Sequence, residues 1–344
     1  MSEPLTLASR IKGAIYSLAV FDALGSSFEF KPRGSFEQLT TGATMLPNDN
    51  FDLPPGCFTD DTSMALCLAH SLLDNDGRSN VVDQVKRYID WWSNGYMSST
   101  GEYFDIGVST ESALGIWQDL LLSGQKQDAP PIEETYHAIL ERITKEFSHE
   151  KFCGNGSLMR ILPAALIASN KLDAIKLAQE SSFPTHPHPR CVHACMIYAS
   201  LVQEALQGAS KKELAIRLSE SINSPSDISD TSLDPVLTAR IKKYHSLEDW
   251  QRTTAKSIRS TGYVVDTLEA SLWAFFTTNT LEEAAIRAVN LGDDSDTVAA
   301  ITGGLAGAFH GFNAIPANWL QSMHKEALLA EVAQKLIDHR NKTL

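Results

Sequence analysis

Two short strings of this sequence concentrate side chains that carry oxygen. Thr59-Asp60-Asp61-Thr62 is the first, Asp293-Asp294-Ser295-Asp296-Thr297 is the second, and each directly precedes a stretch with helical spacing. A single string of this kind is explained by helix capping, because acids in the first turn complement the helix dipole. Carboxylates and hydroxyls are also the ligands that hard cations prefer. Two such strings in one chain predict a paired-metal site, provided that the fold brings them together.

Three other elements could contribute to the same site. Glu29 follows a helical stretch, where an ordinary glutamate is a solvated acid. Asp105 lies in a turn-like segment, where aspartate commonly stabilises the turn. The segment Gly154–Arg160 is either a tight turn entering a helix or a loop whose glycines let the backbone approach a phosphate. The residues alone favour the structural explanation in all three places.

Histidines and cysteines cluster between residues 186 and 195. His186, His188, Cys191, His193 and Cys195 are soft ligands, so a zinc site is an alternative for this segment. Their spacing fits no standard zinc pattern, and Cys191 and Cys195 also fit the buried face of a helix. We therefore expect buried thiols here and no zinc.

Composition excludes several classes of function. The net charge of -13 and the absence of a run of Lys and Arg argue against binding to nucleic acid. No stretch approaches the roughly 20 apolar residues of a membrane span, and the N-terminus lacks the features of a secretory signal. The five cysteines are odd in number and irregularly spaced, which is typical of reduced thiols. We expect a cytoplasmic protein without membrane contact.

Apolar residues recur at helical spacing along most of the chain, which predicts an all-α fold. Helical stretches run from Leu7 and from Met64 and begin again near Val81, Glu133, Leu162, His193, Lys211, Asp266, Leu281, Thr297 and Leu328. The tract Val298–Phe309 is predicted to be a buried helix. Glycine and proline make Lys31–Cys57 a long loop, which in a compact domain is usually functional. A second exposed connection is expected at Asn223–Pro235.

These strings and several neighbouring segments resemble the motifs of the ADP-ribosylglycohydrolase family. The matching segments, in family order, are 21–25 with 28–30, 59–62, 104–107 with Thr110, 154–160, 185–189, 262–270 and 292–297. They extend from about residue 11 to about residue 311. Single segments are weak signals, whereas their order along the chain is a strong one. Phe21 and Asp293 depart from the family pattern, in which glycine is common at both places.

The resemblance implies a compact, single-domain, all-α bundle over residues 1–344. It implies an enzyme that removes ADP-ribose from modified proteins, most plausibly from arginine, with two Mg²⁺ ions, or Mn²⁺ in their place. It implies metal binding by Thr59, Asp60, Asp61, Asp294, Asp296 and Thr297. It implies catalytic roles for Glu29, Asp60, Asp61, Asp105 and Asp296. It implies ADP-ribose binding by Asn155, Gly156, Ser157, Met159 and His186, and stacking of Tyr263 on the adenine is as plausible as a core position for that ring.

Other functions remain open at this point. The acceptor could be serine, or the substrate a free ADP-ribose derivative. A metal-dependent phosphohydrolase would instead release phosphate or AMP. A relative that binds ADP-ribose without catalysis is a third class, although such a protein should have lost acids that this chain keeps. The family role also makes a cognate ADP-ribosyltransferase a candidate partner.

Overall fold

The computed structural model describes residues 5–123, 132–224 and 232–343. Helices dominate these ranges, and no strand occurs within them. Extended pairing among the described residues is limited to two isolated bridges, Asn48 with Leu53 and Gly154 with Tyr263. The predicted all-α class is therefore confirmed.

The described ranges contain sixteen α-helices. They are α1 Leu7–Gly25, α2 Asp60–Asp74, α3 Val81–Asn94, α4 Val108–Ser123, α5 Ile132–Phe147, α6 Leu162–Ile167, α7 Lys171–Ser182, α8 Pro189–Leu206, α9 Lys211–Asn223, α10 Pro235–Ile241, α11 Leu247–Arg252, α12 Val264–Phe276, α13 Leu281–Val289, α14 Ser295–His310, α15 Ala317–Ser322 and α16 Glu326–Thr343. Short 3-10 turns occupy Ser26–Phe28, Glu150–Phe152, Ala255–Ser257 and Phe312–Ala314.

The two helices nearest the centre are α1 and α14, and they approach each other backbone to backbone. Gly303 and Gly307 make this approach possible. A Cβ atom on Gly303 would lie 2.2 Å from the Ser17 carbonyl oxygen, and one on Gly307 would lie 2.2 Å from the Gly13 carbonyl oxygen. Both helices are buried along most of their length, as predicted for Val298–Phe309. This contact joins residues near the two ends of the chain and fixes the helix ends that carry the acids.

Replacement of Gly303 by alanine is expected to lower the free energy of unfolding by about 1–3 kcal/mol, because the added methyl group has no space between two backbones. Gly115 on α4 provides the matched control. A Cβ atom there would have no other atom within 4 Å, so Gly115→Ala should be neutral or stabilise the protein by up to about 1 kcal/mol. Urea unfolding of both variants tests this. Equal stabilities would contradict the close helix contact.

The sequence predicts two long connections between helices. No helix lies between Phe28 and Asp60, and the segment is held by contacts such as the hydrogen bond from the Trp319 indole to the Ala43 carbonyl, 2.7 Å. The connection predicted at Asn223–Pro235 joins α9 to α10, and residues 225–231 of it lie outside the described ranges. In the part of the chain that the structure describes, no helix is both long enough and apolar enough to cross a membrane.

Candidate functional site

Asp22 joins the end of α1 to the beginning of α2. Its buried carboxylate accepts hydrogen bonds from the backbone amides of Thr59 and Thr62 and from both hydroxyls, with the Thr62 hydroxyl at 2.6 Å. The acid of one helix therefore caps the N-terminus of another, where the helix dipole favours negative charge. Thr59 makes no cap bond of its own. This arrangement presents the next carboxylates, Asp60 and Asp61, from the first turn of α2.

The N-terminus of α14 brings the second acidic string to the same place. One oxygen each of Asp22, Asp61 and Asp296 lie within 4.8 Å of one another, and so do oxygens of Glu29, Asp294 and Asp296. Asp296 is common to both groups. The fold therefore assembles carboxylates from α1, α2, α14 and the turn after α1. It meets the condition set by the sequence, namely that the two acidic strings come together.

Close backbone packing sets this geometry. A Cβ atom on Gly25, the last residue of α1, would lie 2.6 Å from the Asp296 Cα, and the Ser295 hydroxyl donates to the Gly25 carbonyl at 3.0 Å. The amide of Asp294 donates to the Ser260 carbonyl at 2.9 Å. The end of α1 and the turn entering α14 are thus fixed to each other, and the acids do not depend on flexible side chains to meet.

The threonines of the two strings also reach the cluster. The Thr297 hydroxyl donates to an oxygen of Asp61 at 3.3 Å, and the Thr59 hydroxyl oxygen lies 3.2 Å from that same Asp61 oxygen. Asp293 behaves differently from its neighbours. It is exposed, belongs to neither carboxylate group and adopts a left-handed backbone with φ of 56°. The additional acid of this turn therefore lies outside the cluster.

Burial and mutual repulsion make the ionised cluster unfavourable without a cation. Burial, with Asp296 as the main charged neighbour, raises the pKa of Glu29 to about 12. Burial and the Asp294 charge raise the pKa of Asp105 to about 6. The pKa values of Asp60 and Asp61 are raised well above the usual range by the same two causes. Like charges this close cannot all ionise unless positive charge is supplied.

The free oxygens of the cluster fit a bound cation. Glu29 Oε2, Asp61 Oδ1 and Asp296 Oδ1 are buried and accept no hydrogen bond. Unpaired buried acceptors are costly, and in proteins such oxygens are commonly satisfied by metals. The donors are all carboxylate and hydroxyl oxygens, which suits a hard divalent cation such as Mg²⁺. The residues present are therefore compatible with the metal that the resemblance implied.

A cavity of about 650 Å³ opens in front of these acids. Glu29, Asp60, Asp105, Asp294 and Thr297 line one part of it. Asp61, Asp296 and Thr59 are not among the residues that line the cavity and are almost completely buried. The acids thus form two layers, one that lines the cavity and a deeper one whose unpaired oxygens a cation between the layers would satisfy.

The glycine-rich segment forms the opposite part of the cavity wall. Gly154, Asn155, Gly156 and Met159 line it. The side-chain amide of Asn155 donates to Asp294 at 2.6 Å and to Thr267 at 3.0 Å, so this loop is fastened to the acidic cluster. A Cβ atom on Gly156 would lie 2.8 Å from the Thr110 hydroxyl, which explains the requirement for glycine there. Bare backbone is therefore exposed to a ligand at this wall.

Two residues predicted to bind ADP-ribose do not line the cavity. Ser157 is completely buried, and its hydroxyl accepts hydrogen bonds from Ser182 at 2.9 Å and from the Cys195 thiol at 3.4 Å. Tyr263 lies beside the wall, paired with Gly154 by an isolated bridge and 5.9 Å from the Arg190 guanidinium. His186, in contrast, lines the cavity as predicted.

The histidines and cysteines of residues 186–195 are committed to other contacts. His193 Nδ1 accepts the Asp234 amide at 2.9 Å, and His188 Nδ1 accepts the Arg190 amide at 3.1 Å. Cys191 and Cys195 lie on the buried part of α8, and all five cysteines of the chain are buried and free. Among the described residues, no group with metal-binding geometry includes this segment. The expectation of buried thiols is confirmed.

Comparisons with known proteins agree with this geometry. A family model described as ADP-ribosylglycohydrolase matches residues 3–343. An ADP-ribosylarginine hydrolase, Tri1, of Pseudomonas putida is 32% identical over 337 residues, which cover 97% of this chain and 80% of that protein. The ADP-ribosyl-[dinitrogen reductase] glycohydrolase of Rhodospirillum rubrum is 30% identical, with 91% and 90% covered. A solved structure described as an ADP-ribosylglycohydrolase-related protein complex is 33% identical, with a TM-score of 0.75 and coverage of 97% of this chain and 99% of that chain.

Proposed function

Because this chain belongs to the ADP-ribosylglycohydrolase family, we propose that it is a magnesium-dependent hydrolase that releases ADP-ribose from arginine side chains of modified proteins. The observation that carries the proposal is the pair of carboxylate groups that share Asp296 and keep unpaired oxygens facing each other. We propose that they hold two Mg²⁺ ions, with Mn²⁺ as an alternative, through Thr59, Asp60, Asp61, Asp294, Asp296 and Thr297. Asp22, from the end of α1, supports this set and is not proposed as a ligand, since both of its oxygens already accept hydrogen bonds from Thr59 and Thr62.

Magnesium bound there would supply positive charge and a Lewis acid for ribose oxygens. The residues of the chain stabilise charge and transfer protons. Cleavage of a glycosidic bond develops positive charge on the sugar, which the carboxylates nearest the cavity, Glu29 and Asp60, stabilise. Asp105 lines the cavity beside these acids, and we propose that its carboxyl exchanges a proton with the attacking water or the leaving group.

The proposed orientation of the substrate follows from the two walls of the cavity. The ribose next to the scissile bond lies against the acids, and the diphosphate lies against Gly154, Asn155 and Gly156, where backbone groups can approach closely. Met159 and His186 complete that wall. Tyr263 lies half-buried beside this wall, where its stacking on the adenine stays a prediction. The Ser157 hydroxyl contacts Ser182 and Cys195, so we propose that Ser157 contributes its backbone and not its side chain.

The arginine acceptor is supported by the rim of the cavity. Phe30 and Val108 line the mouth, and 64% and 75% of their surfaces are exposed, which is unusual for large apolar residues. Phe30 directly follows Glu29 and adopts φ of 61°, held by a hydrogen bond from its amide to the Asp293 carbonyl at 2.8 Å. An aromatic face beside the acids can stack on a guanidinium, whereas a serine acceptor offers no planar cation.

The test of the function is release of ADP-ribose from a protein that carries ADP-ribosylarginine, with Mg²⁺ and with EDTA. Intact ADP-ribose should appear with Mg²⁺ and not with EDTA. AMP or phosphate as product would favour a phosphohydrolase. Cleavage of ADP-ribosylserine alone would assign the serine acceptor, and tight binding of ADP-ribose without any release would assign a non-catalytic relative.

Replacement of Phe30 by alanine is expected to lower kcat/KM for ADP-ribosylarginine about tenfold, because stacking of a guanidinium on a ring is worth about 1–2 kcal/mol in a partly desolvated site. The affinity for free ADP-ribose should stay unchanged. Phe30→Tyr keeps the aromatic face and is the control. Steady-state kinetics and calorimetry measure both quantities, and an equal loss of ADP-ribose affinity would place Phe30 against the nucleotide instead.

We also propose that residues 1–344 act as one domain, since α1 and α14 pack together from opposite ends of the sequence. A cognate ADP-ribosyltransferase remains a proposed partner, on the ground of the family to which this chain belongs. Co-purification with such a transferase tests it, and its absence would count against it. The buried free thiols suit a reducing compartment such as the cytoplasm.

A further inference from the structure

Behind the cavity wall lies an arginine that is completely buried and has no acidic partner. Arg160 donates to the Gly156 carbonyl at 3.0 Å and to the Thr185 hydroxyl oxygen at 2.5 Å, and its guanidinium lies 4.6 Å from the centre of the Tyr88 ring. Within the described ranges it forms no salt bridge, and its Nε–H has no acceptor. A buried cation without an anion is costly, so its position calls for an explanation.

The hydrogen bonds of Thr185 determine where the proton of His186 resides. Arg160 can only donate, so the Thr185 oxygen must accept from it. The Thr185 hydroxyl has one proton of its own, and the His186 Nδ1 atom, 2.8 Å away, is the one acceptor that the described contacts offer it. Nδ1 therefore accepts and carries no proton. Because Thr185 is completely buried, the opposite arrangement would leave its hydroxyl proton unsatisfied.

The other ring nitrogen of His186 then carries the proton and remains available to a ligand. Among the described contacts Nε2 has no partner in the protein, and it lies 3.3 Å from the position of a Cβ atom on Gly156, within the cavity wall. Burial and the Arg160 charge lower the pKa of His186 to about 3, so the ring is neutral at physiological pH. A neutral ring with its proton at Nε2 is a donor and cannot accept a proton there.

We infer that Arg160, acting through Thr185, holds His186 as the tautomer protonated at Nε2, and that this N–H donates to a diphosphate oxygen of ADP-ribose. The identity of the ligand rests on the proposed function. The diphosphate is favoured over a ribose hydroxyl because the His186 Nε2 atom stands beside Gly154 and Gly156, where bare backbone borders the cavity, and because the unpaired Arg160 charge lies directly behind it. The ligand anion thus offsets a buried cation that the protein leaves unpaired. Arg160 and Thr185 are positioning residues.

The tautomer of His186 can be determined by NMR in the protein without a bound ligand. In nitrogen–proton NMR spectra of protein labelled at histidine, His186 should show an unprotonated Nδ1 and a protonated Nε2, with His186→Gln identifying its signals. Thr185→Val keeps the shape of the side chain but can neither accept from Arg160 nor donate to Nδ1. In that variant the proton is expected to redistribute between the two nitrogens. A protonated Nδ1 in the wild type would overturn the inference, whatever the variants do.

Binding of ADP-ribose supplies the second measurement. Thr185→Val should weaken it about tenfold and His186→Ala about tenfold to a hundredfold, because a hydrogen bond to a charged group is lost. Thr185→Ser, which retains the hydroxyl, should bind within about threefold of wild type. His188→Asn, which changes a histidine that does not line the cavity and keeps an N-cap for α8, is the matched control and should bind normally.

The outcomes separate this inference from the proposed function. Wild-type affinity in Thr185→Val, or equal losses in Thr185→Ser and Thr185→Val, would show that the hydroxyl does not act through His186. Failure of the wild-type protein to bind ADP-ribose would overturn the proposed function and the diphosphate acceptor together, whereas the NMR result on the tautomer would stand by itself.

Discussion

Replacement of Asp296 by asparagine is expected to abolish magnesium-dependent release of ADP-ribose, with a loss of at least about a thousandfold. Asp296 is the residue that the two carboxylate groups share, and its Oδ1 atom is buried without a partner. Asparagine has nearly the same shape but supplies one oxygen and an N–H₂ group that repels a cation. Loss of this carboxylate therefore weakens both proposed metal positions at once, in contrast to a change at Glu29 or Asp22.

Asp293→Asn is the matched control, since it makes the same chemical change three residues earlier. Asp293 lines the cavity, but it is exposed and belongs to neither group of acids, and asparagine tolerates its left-handed backbone. Its activity should stay within about threefold of wild type. Release assays and titration with Mg²⁺, followed by thermal unfolding, measure both effects. An Asp296→Asn protein that still responds to Mg²⁺ and releases ADP-ribose would refute the shared-ligand arrangement.

Much of the helical framework could be predicted from the sequence, because apolar spacing directly encodes the buried face of a helix. The prediction succeeded for α1 and α14, whose apolar residues recur over several turns. It missed α4, since its residues 108–123 follow a turn-like Asp-Ile-Gly segment and are apolar on more than one face. The short helices α10, α11 and α15 were missed for a different reason, because six or seven residues are too few for a period to be visible.

The acids of the site were predictable to the extent that they are adjacent in sequence. The strings around Asp60 and Asp294 carry their own signal. Asp22 was missed as a site residue because it stands alone in the apolar helix α1, although a lone carboxylate between Phe21 and Ala23 is itself a signal of a buried polar role. Its function depends on contacts with Thr59 and Thr62, almost forty residues along the chain, and only the folded structure reveals them.

The orientation of side chains in the glycine-rich loop could not be predicted. Ser157 and Arg160 belong to the glycine-rich segment, part of which lines the cavity, yet both side chains are completely buried. Arg160 donates a hydrogen bond to Thr185 in the segment before α8, and Ser157 accepts one from Ser182 at the end of α7. A sequence motif reports which backbone approaches a ligand, but the direction of each side chain is set by helices that pack on the loop from elsewhere.

Removal of metal is expected to make the protein less stable as pH rises from about 6.5 to about 8, and Mg²⁺ should restore stability increasingly over the same range. The pKa of Glu29 is raised from 4.5 to about 12, and those of Asp60, Asp61 and Asp296 are raised well above 3.8. In this range the metal-free folded protein holds protons that the unfolded chain has released. Stability then falls with pH, by about 1.4 kcal/mol per pH unit for each such proton.

The limits of this pH range are set by other groups, whose titration makes stability rise with pH. Below pH 6.5, buried neutral histidines such as His186 and His310, with pKa values lowered to about 3 and about 4, make stability rise with pH. Above pH 8, Lys211 does the same, because burial lowers its pKa to about 8. Between these limits the acids dominate. Thermal unfolding in EDTA and in Mg²⁺, at several pH values, measures the difference, in which the histidine and lysine contributions cancel.

The Asp296→Asn variant tests whether the fall of stability with pH is caused by the acidic cluster. The variant removes one of the carboxylates that repel each other, so the metal-free protein should be more stable than wild type near neutral pH and depend less on pH. It should also gain less from Mg²⁺. The same substitution would then abolish activity and stabilise the metal-free fold, which is expected only where the protein retains an unfavourable arrangement of acids for the cation that they bind. A wild-type protein whose stability in EDTA rises across this window would contradict that explanation.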